Sequence, residues 1–364
     1  MKKYYKTIIF SNSRLKTHFR YKNKFQILPI DLRGKPSNAC ARHFPLFLEY
    51  TIDYPNEKTD GFISIQAERI NTENEIINLL SCLTNYHFFR YDLSMMGWGV
   101  IVPNKTENLT EEEEKVMNCQ ESQFFIGNYQ YSGLNKDLQI SQFTQFEYKT
   151  PLLNCSTYKY YTDNPIDDHF HDVLFHDTLI MAIDSYYNLP AEKRKKVRSS
   201  MCLACGGMDI STQKRTLSFL SYISAIEGLI GLEVGEKEIQ FKCKSCQSIL
   251  SSPYKCPECG GPIWGIKQKF VQFLSKYVLD NEKSRKKYKD IYNVRSKITH
   301  SGKLFMSDYE LSFSEDSIKL NHDNWLMELE TLQLFRISLN RWLRNSPISN
   351  IVQSNRKSHK TTQL

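Results

Sequence analysis

The sequence has no apolar run long enough to cross a membrane. Its mean hydropathy is −0.49, and no stretch reaches the roughly 18 consecutive apolar residues that indicate a transmembrane helix. An export signal is also missing, because the basic N-terminus leads into only three consecutive apolar residues, Ile8 to Phe10. These absences predict a soluble, cytoplasmic protein that does not contact a membrane. In that reducing compartment the ten cysteines are expected to be thiols or metal ligands rather than disulfides.

The chain does not distribute its charge evenly. Residues 1–190 contain 19 Lys and Arg against 23 Asp and Glu, whereas residues 191–364 contain 29 against 17. A basic C-terminal half predicts contact with a polyanion, and the mildly acidic half is expected to do something else. An ordinary solvated surface is the alternative interpretation.

The N-terminal part has the pattern of a strand-rich domain. A chain of 364 residues is too long for one domain of usual size, so two are expected. Short alternating aromatic segments with turn residues between them predict strands. These segments are 5–10, 24–30, 46–54, 61–70 and 98–102. One helix is predicted over 71–89, with Asn71 or Thr72 as its N-cap. We therefore predict an α+β sensing or regulatory domain over residues 1–160.

From residue 165 to 345 the period of the apolar residues becomes helical. Helices are predicted over 166–188, 192–210 and 212–234, and three more follow a cysteine-bearing insert at 236–263. A break is expected at Leu189-Pro190 and a helix stop at Gly302. The polar segment 346–364 is predicted to be a flexible tail. The whole chain is thus an α+β protein with a helical C-terminal bundle.

The insert contains four cysteines at metal-binding spacing. Cys243, Cys246, Cys256 and Cys259 form two Cys-x2-Cys pairs separated by nine residues. Each pair can direct two sulfurs at one ion, and four thiolates close a tetrahedral shell around Zn²⁺. We predict one structural zinc ion per chain, with a disulfide pair or free thiols as the alternatives. The pair Cys202 and Cys205 falls in a predicted helix, where small apolar core residues are the simpler interpretation than redox or metal ligands.

The segment 283–305 contains an arginine and a histidine five residues apart on a predicted helix. Ile291, Val294 and Ile298 form its core stripe, whereas His300 lies on the polar face and Arg295 at the border. Arginine matches phosphate oxygens with its fork of donors, and histidine moves protons near neutral pH. The pair therefore suits a phosphodiester substrate. The simpler interpretation is a histidine that caps a helix and a basic run that is merely solvated.

The sequence IYNVRSKITHSG, residues 291–302, resembles the Arg-x4-His signature of HEPN domains in the Apea-like branch. The earlier segment LSFLSYISAIEGLIG is similar to the first core helix of that family, with Glu227 at its acidic position. The similarity covers roughly residues 195–345. Ser296 departs from the Asn, Asp or His that many HEPN nucleases carry after the arginine, and the four-cysteine insert is an addition to the family pattern.

The resemblance implies a metal-independent endoribonuclease in which the substrate 2′-hydroxyl attacks the adjacent phosphorus. His300 would be the general acid and base, and Arg295 would stabilise charge on the phosphoryl oxygens. Glu227, Tyr292, Asn293 and Ser296 are accessory candidates, and Glu227 is expected to orient Arg295. Five helical residues turn through about 500°, so the two side chains point apart. A two-fold homodimer, which is typical of the family, would let the arginine of one copy approach the histidine of the other.

A basic run before the motif provides the predicted RNA contacts, Lys283, Arg285, Lys286, Lys287 and Lys289. The RNA is expected to be structured, with tRNA as an example. By the same resemblance, the protein is expected to be a toxin-like effector of antiviral defence that an unidentified trigger releases.

Two other functions compete with the nuclease. The cluster Asp167, Asp168, His169, His171, Asp172, His176 and Asp177 could serve a metal-dependent hydrolase if Asp172 and His176 share a helix face. Alternatively, the helical half is a non-catalytic module for RNA binding or dimerisation.

Overall fold

The aromatic and β-branched residues near the N-terminus form an antiparallel sheet, because such side chains pack well on a half-buried pleated surface. In the computed structural model the sheet has the strand order β2-β3-β4-β1-β5. Its strands are β1 (Lys2–Ser11), β2 (Phe19–Tyr21), β3 (Phe25–Pro29), β4 (Phe44–Asp53) and β5 (Phe88–Phe89). The longest pairing joins β1 to β4, with Tyr5 opposite Tyr50.

The structure describes residues 2–31, 43–54, 62–90, 133–146, 151–163, 172–234, 241–242, 246, 249–250, 265–310 and 312–345. The strand predicted at 98–102 and the tail predicted at 346–364 lie outside these residues. The described residues form an α+β fold in which the sheet is followed by helices. None of their helices combines the length and the apolar character needed to span a bilayer.

Helix α1 (Phe62–Leu83) contradicts part of the sequence prediction. The strand predicted over 61–70 and the helix start predicted at Asn71 or Thr72 are both wrong, because one helix runs through the two segments. Thr72 does not cap a helix: its hydroxyl donates to the carbonyl of Glu68 one turn earlier, at 2.9 Å. The residues before it include good helix formers and no helix breaker, so the helix starts earlier.

A buried carboxylate holds the centre of the sheet. Glu49 on β4 has no exposed surface, and Gln26 Nε2 on β3 donates to it at 2.7 Å. The backbone N–H and the hydroxyl of Thr144 donate at 2.9 and 2.5 Å, and Lys6 Nζ on β1 lies 3.3 Å away. A buried charge is tolerated only when it is paired and hydrogen-bonded, so three neighbouring segments are tied to one side chain.

The sheet belongs to the first of two compact units. This unit comprises Met1–Cys155 and Asn164–Asp177, and the second comprises Ser156–Asp163 and Thr178–Leu364. The sequence predicted a single domain boundary between 160 and 165. In the structure the chain crosses between the units three times, because Ser156–Asp163 belongs to the second unit and Asn164–Asp177 to the first. The first unit also contains α2 (Leu134–Asp137) and the parallel pair β6 (Leu152–Leu153) and β7 (Phe175–His176).

The second unit is a bundle of helices. Its elements are α3 (Thr157–Thr162), α4 (Leu179–Tyr187), α5 (Ala191–Ile210), α6 (Arg215–Val234), the hairpin β8 (Phe241–Lys242) and β9 (Ile249–Leu250), α7 (Ile266–Tyr277), α8 (Glu282–Ser301), a short 3-10 turn (Met306–Asp308) and α9 (Glu315–Asn345). The long helix α9 contacts α3, α4, α6 and α7. The predicted break at Leu189-Pro190 is confirmed, since α4 ends at Tyr187 and α5 begins at Ala191.

The helix predicted over 166–188 is wrong for residues 172–178, which are the described residues before α4. Residues 172–178 precede α4, and the backbone of this segment bonds to extended neighbours: Val173 N–H donates to the Arg14 carbonyl and Asp177 N–H to the Leu153 carbonyl, at 2.9 and 3.0 Å. Pairing with another strand satisfies the backbone groups that a helix would have satisfied internally. The period of the apolar residues, from which this helix was predicted, contains no information about pairing partners distant in sequence.

One carboxylate joins three helices where the insert leaves the bundle. Glu233, next to last in α6, accepts hydrogen bonds from Lys276, from the Tyr277 hydroxyl at 2.9 Å and from Trp342 Nε1 at 3.0 Å. Burial alone would raise the pKa of Glu233, but the hydrogen bonds from Lys276, Tyr277 and Trp342 and the charge of Lys276 outweigh it and hold this pKa below its ordinary value.

Replacing the buried carboxylate of the sheet is expected to destabilise the first unit. Glu49→Ala leaves Lys6 and the donors of Gln26 and Thr144 without their acceptor, which costs about 3 kcal/mol. Hydrogen exchange of peptides from β1 and β4 should accelerate accordingly, while peptides from α9 serve as an internal reference. Lys16→Ala is the control, because the Lys16–Asp172 pair is half exposed and is worth less than about 1 kcal/mol. Equal exchange in the two variants would contradict this assignment.

The stability of the helical unit should depend on pH through Glu233. A carboxylate whose pKa is depressed in the folded state stabilises the fold above its unfolded pKa, and this contribution is lost as the pH falls through the folded pKa. Glu233→Gln should therefore lower the free energy of unfolding at neutral pH and flatten its decline on acidification below about pH 4.5. Urea unfolding of both proteins across that range measures the effect. Parallel pH profiles would contradict the assignment.

Candidate functional site

Helix α8 is bounded by local hydrogen bonds that fix where its side chains lie. Asn281 caps its start, because the side-chain oxygen accepts from the Ser284 N–H at 2.8 Å. Gly302 ends it with φ 64°, a left-handed conformation that glycine adopts without strain, and its N–H donates to the Ile298 carbonyl at 3.0 Å. The stop predicted at Gly302 is confirmed, and His300 lies in the last turn.

The buried side of α8 is wider than the predicted stripe. Ile291 and Ile298 are buried, whereas Val294 is only half-buried. Two tyrosines, Tyr288 and Tyr292, are also buried. The ring of Tyr292 packs against Phe270 of α7, with 5.2 Å between ring centroids. Aromatic rings therefore anchor the helix that carries the Arg-x4-His motif.

Three of the predicted site residues form one cluster between α6 and α8. Glu227 on α6 accepts from the Tyr292 hydroxyl at 3.0 Å, and its other oxygen lies 3.5 Å from Arg295 Nη2. The guanidinium carbon also lies 5.5 Å from the Tyr292 ring centroid, within the range of a cation–π contact. The cluster thus orients Arg295 through a charge and an aromatic face at the same time.

The cluster also fixes the protonation of its tyrosine. Burial, followed by the charge of Glu227 and the hydrogen bond to it, raises the pKa of Tyr292 to about 12, although Arg295 acts in the opposite direction. Tyr292 is therefore a hydroxyl donor at neutral pH. The side chains of Arg295 and Glu227 keep about a quarter of their surface exposed, 25% and 22%, so the guanidinium lies at the rim of the bundle and can meet a ligand.

A further member of the site was missing from the sequence prediction. Thr299, one turn after the arginine, lies 3.5 Å from Arg295 Nη1 through its hydroxyl oxygen, and that hydroxyl donates to the Arg295 carbonyl at 3.0 Å. Its position four residues after Arg295 was the available signal, since residues at this spacing are neighbours on a helix.

The remaining motif residues lie away from Arg295. His300 is exposed, Ser296 is half-buried, and Asn293 is exposed and accepts from Lys267 Nζ at 2.6 Å. In the part of the chain that the structure describes, no hydrogen bond, ion pair or ring contact joins Arg295 to His300 or to Ser296. One copy of α8 therefore presents its two motif residues on different sides, as the helix geometry predicts.

The predicted RNA-binding residues divide into two groups. Arg285 is engaged by Asp280 through two hydrogen bonds of 2.6 and 2.8 Å, and Lys287 pairs with Glu330 at 2.5 Å. The side chains of Lys283, Lys286 and Lys289 are exposed. An open depression of about 540 Å³ lies at this end of the helix. It is lined by Asn281, Glu282, Arg285, Lys286 and Lys289.

Three of the four predicted zinc ligands, Cys243, Cys256 and Cys259, lie outside the described residues. Cys246 is exposed and falls between strands β8 and β9, which pair antiparallel with Phe241 opposite Leu250. Of the second pair, Cys205 is buried, in agreement with a core role, whereas Cys202 is exposed and not a core residue. The described residues contain no group of three or more His, Cys, Asp or Glu placed to hold a metal ion.

The Asp and His cluster does not form the predicted helix face. Asp167, Asp168, His169 and His171 lie outside the described residues, and α4 begins only after Asp177. His176 is buried on β7, with Nε2 at 2.7 Å from the Cys155 carbonyl and Nδ1 at 3.0 Å from Asp177. Asp172 pairs with Lys16 at 2.7 Å. The shared helix face predicted for Asp172 and His176 is wrong, because an extended segment carries both.

The cluster of Glu227, Tyr292 and Arg295 should behave as one energetic unit. A double-mutant cycle of Glu227→Gln and Tyr292→Phe is expected to give a coupling of about 1 kcal/mol in urea unfolding, since Glu227→Gln replaces the charged acceptor of this hydrogen bond with a neutral amide and Tyr292→Phe removes its donor. Tyr288→Phe is the matched control, because the Tyr288 hydroxyl donates instead to the Leu279 carbonyl at 3.1 Å. Additive effects of Glu227→Gln and Tyr292→Phe would show that the contact is energetically irrelevant.

Comparisons of the chain with protein-family models, with curated proteins and with solved structures find no match. The chemistry that the site can support therefore follows from its own residues.

Proposed function

We propose that the helical unit is an endoribonuclease domain that resembles HEPN nucleases and cleaves RNA without a catalytic metal. The substrate 2′-hydroxyl attacks the adjacent phosphorus, the 5′ oxygen of the next nucleotide leaves, and the products carry a 2′,3′-cyclic phosphate and a 5′-hydroxyl. One observation supports this proposal above the others: a single helix presents an oriented, rim-exposed Arg295 and an exposed His300. These are the side chains that charge stabilisation and proton transfer require.

In this proposal His300 is the general base and general acid of the reaction. Its imidazole accepts the 2′-hydroxyl proton as the P–O bond forms, and an imidazolium at the same position can return a proton to the leaving oxygen. The residue suits this role because its side chain is exposed at the end of α8, where a nucleotide can reach it.

In this proposal Arg295 stabilises the negative charge that develops on the phosphoryl group. The fork of N–H groups can bind non-bridging phosphoryl oxygens as negative charge accumulates there. Glu227 and Tyr292 are positioning residues, since they hold the guanidinium through the 3.5 Å ion pair and the hydroxyl contact to the same carboxylate. Thr299 adds a contact from the other edge of the guanidinium.

The active form in this proposal is a homodimer. Arg295 and His300 are about 140° apart around α8, so one chain does not direct them at one phosphate. Two copies related by a two-fold axis would pair the arginine of each with the histidine of the other in a shared cleft. The shared cleft makes dimerisation a requirement of the chemistry.

A structural zinc ion completes the proposal. Cys243, Cys246, Cys256 and Cys259 would hold Zn²⁺ through four thiolates, and a saturated shell of this kind stabilises a small fold and leaves no position for a reacting water. The β8–β9 pairing supports this assignment, because the first Cys-x2-Cys segment, 243–246, lies in the sequence between these two paired strands.

The biological setting is proposed at a coarser level. The first unit would sense a trigger, and the second would act in the cytoplasm as a toxin-like nuclease of antiviral defence, with a structured RNA such as tRNA as its target. The charge division supports the assignment of RNA to the second unit, since residues 191–364 carry 29 basic against 17 acidic residues.

The nuclease proposal predicts that His300→Ala and Arg295→Ala each lower RNA cleavage by about two to four orders of magnitude. The measurement is cleavage of cellular RNA by the full chain, with chemical identification of the cyclic phosphate and the 5′-hydroxyl at the new ends. His322→Ala is the matched control, because His322 is an exposed histidine on α9 and should leave the rate unchanged.

The same variants distinguish the non-catalytic alternative. If RNA binding, dimerisation and cell toxicity survive both Arg295→Ala and His300→Ala, the helical unit is a binding or dimerisation module and not a nuclease. If cleavage disappears while folding and dimerisation persist, the nuclease proposal is supported.

A further inference from the structure

The exposed face of α8 carries a row of polar and basic residues that ends at His300. Lys286, Lys289, Asn293, Lys297 and His300 follow one another in steps of three or four residues, so they fall within about 80° of arc on one side of the helix. All five are exposed. From Lys286 to His300 the row is about 21 Å long. Arg295 lies on the other side, toward α6.

The lysines of this row, unlike Arg285 and Lys287 beside them, have no acidic partner among the described residues. Arg285 is held by Asp280 and Lys287 by Glu330, whereas no ion pair engages Lys286, Lys289 or Lys297 among the described residues. A cation that is not already paired can neutralise a phosphate without first breaking a salt bridge. Among the α8 lysines without an ion pair in the described residues, Lys286, Lys289 and Lys297 are in line with His300, and Lys283 lies beside the row.

A second helix adds charge at the middle of the row. Lys267 of α7 donates to the Asn293 side chain at 2.6 Å, which places its ammonium group beside the row. Two acids lie on or next to the same face, Glu282 at its beginning and Asp290 at its border. Four lysines against two carboxylates leave the face positive, and the segment from Asn293 to His300 contains no acid.

We propose that this face, which we term the lysine row (Lys286, Lys289, Asn293, Lys297 and His300), binds the backbone of single-stranded RNA and leads it to His300. The inference rests on the proposed nuclease function and names its substrate class. A row of about 21 Å accommodates roughly four nucleotides, the smallest site size of single-strand binding grooves. The phosphates next to the scissile one would lie on Lys297, Lys289 and Lys286 in that order.

A single strand fits this row better than a duplex does. Attack by the 2′-hydroxyl requires it to line up opposite the leaving oxygen, and the regular backbone of an A-form duplex holds it out of line, whereas an unpaired nucleotide can turn. The major groove of A-form RNA is also too deep and narrow for side chains to read. The lysine row would therefore select an unpaired loop or end within a structured RNA.

The test uses the full chain with His300→Ala, so that a labelled single-stranded oligouridine binds without being cleaved. In this background the triple change Lys286→Gln, Lys289→Gln and Lys297→Gln should reduce the slope of log K against log salt by about 2, or about 0.7 for each lost contact with a single strand. The control is Lys193→Gln, Lys195→Gln and Lys196→Gln, which removes equal charge from exposed lysines of α5 and should leave the slope unchanged.

Three results would overturn the inference. To separate single-stranded RNA from other polyanions, the triple variant is also tested on the oligouridine paired with its complement and on phosphatidylserine vesicles. The inference is contradicted if the triple variant and the control lose the same slope. It is also contradicted if the triple variant loses the same slope on duplex and on single strand, or loses slope only on vesicles. Cleavage by the triple variant with His300 restored separates this failure from that of the nuclease proposal. If cleavage requires His300 but not the three lysines, the inference about the lysine row is wrong and the nuclease proposal stands.

Discussion

The geometry of the candidate site depends on one half-buried carboxylate, that of Glu227. It joins α6 to α8 by accepting from Tyr292 and pairing with Arg295, and together with the buried Ile291 and Ile298 it sets the rotation of α8 about its own axis. That rotation decides which residues face the bundle and which face solvent. With Arg295 turned toward α6, the side of α8 that carries His300 must be exposed, and the polar residues in line with it are exposed as well. A carboxylate that is about one-fifth exposed can hold a guanidinium at the surface without burying it.

The helical half was largely predictable because its signals are local. The apolar period located the helices, Pro190 located a break, and the glycine after His300 located a helix end, each through backbone geometry that neighbouring residues determine. The two errors have different physical causes. Residues 61–70 alternate like a strand but contain good helix formers, and their helix propensity decides the outcome. The segment before α4 pairs with a strand distant in sequence, and no local pattern contains that partner.

The candidate site was predictable in its residues and less so in its contacts. The sequence identified Arg295, His300 and Glu227 from a motif and its context, and it predicted that the two motif residues point apart. It did not identify Thr299 as a contact of the arginine, nor did it separate the paired basic residues Arg285 and Lys287 from their exposed neighbours. These distinctions depend on Asp280 before the helix and on Glu330 in α9, and a pattern within α8 contains neither.

Glu233 has a consequence for how this chain can change during evolution. The helices on either side of the cysteine-bearing insert are joined to each other and to α9 by this side chain, so a contact outside the insert links its two flanks. Inserts of other lengths could occupy the same junction while these three helices kept their contacts. Changes in the length or sequence of the insert would therefore leave the hydrogen bonds that Glu233 makes to α7 and α9 in place.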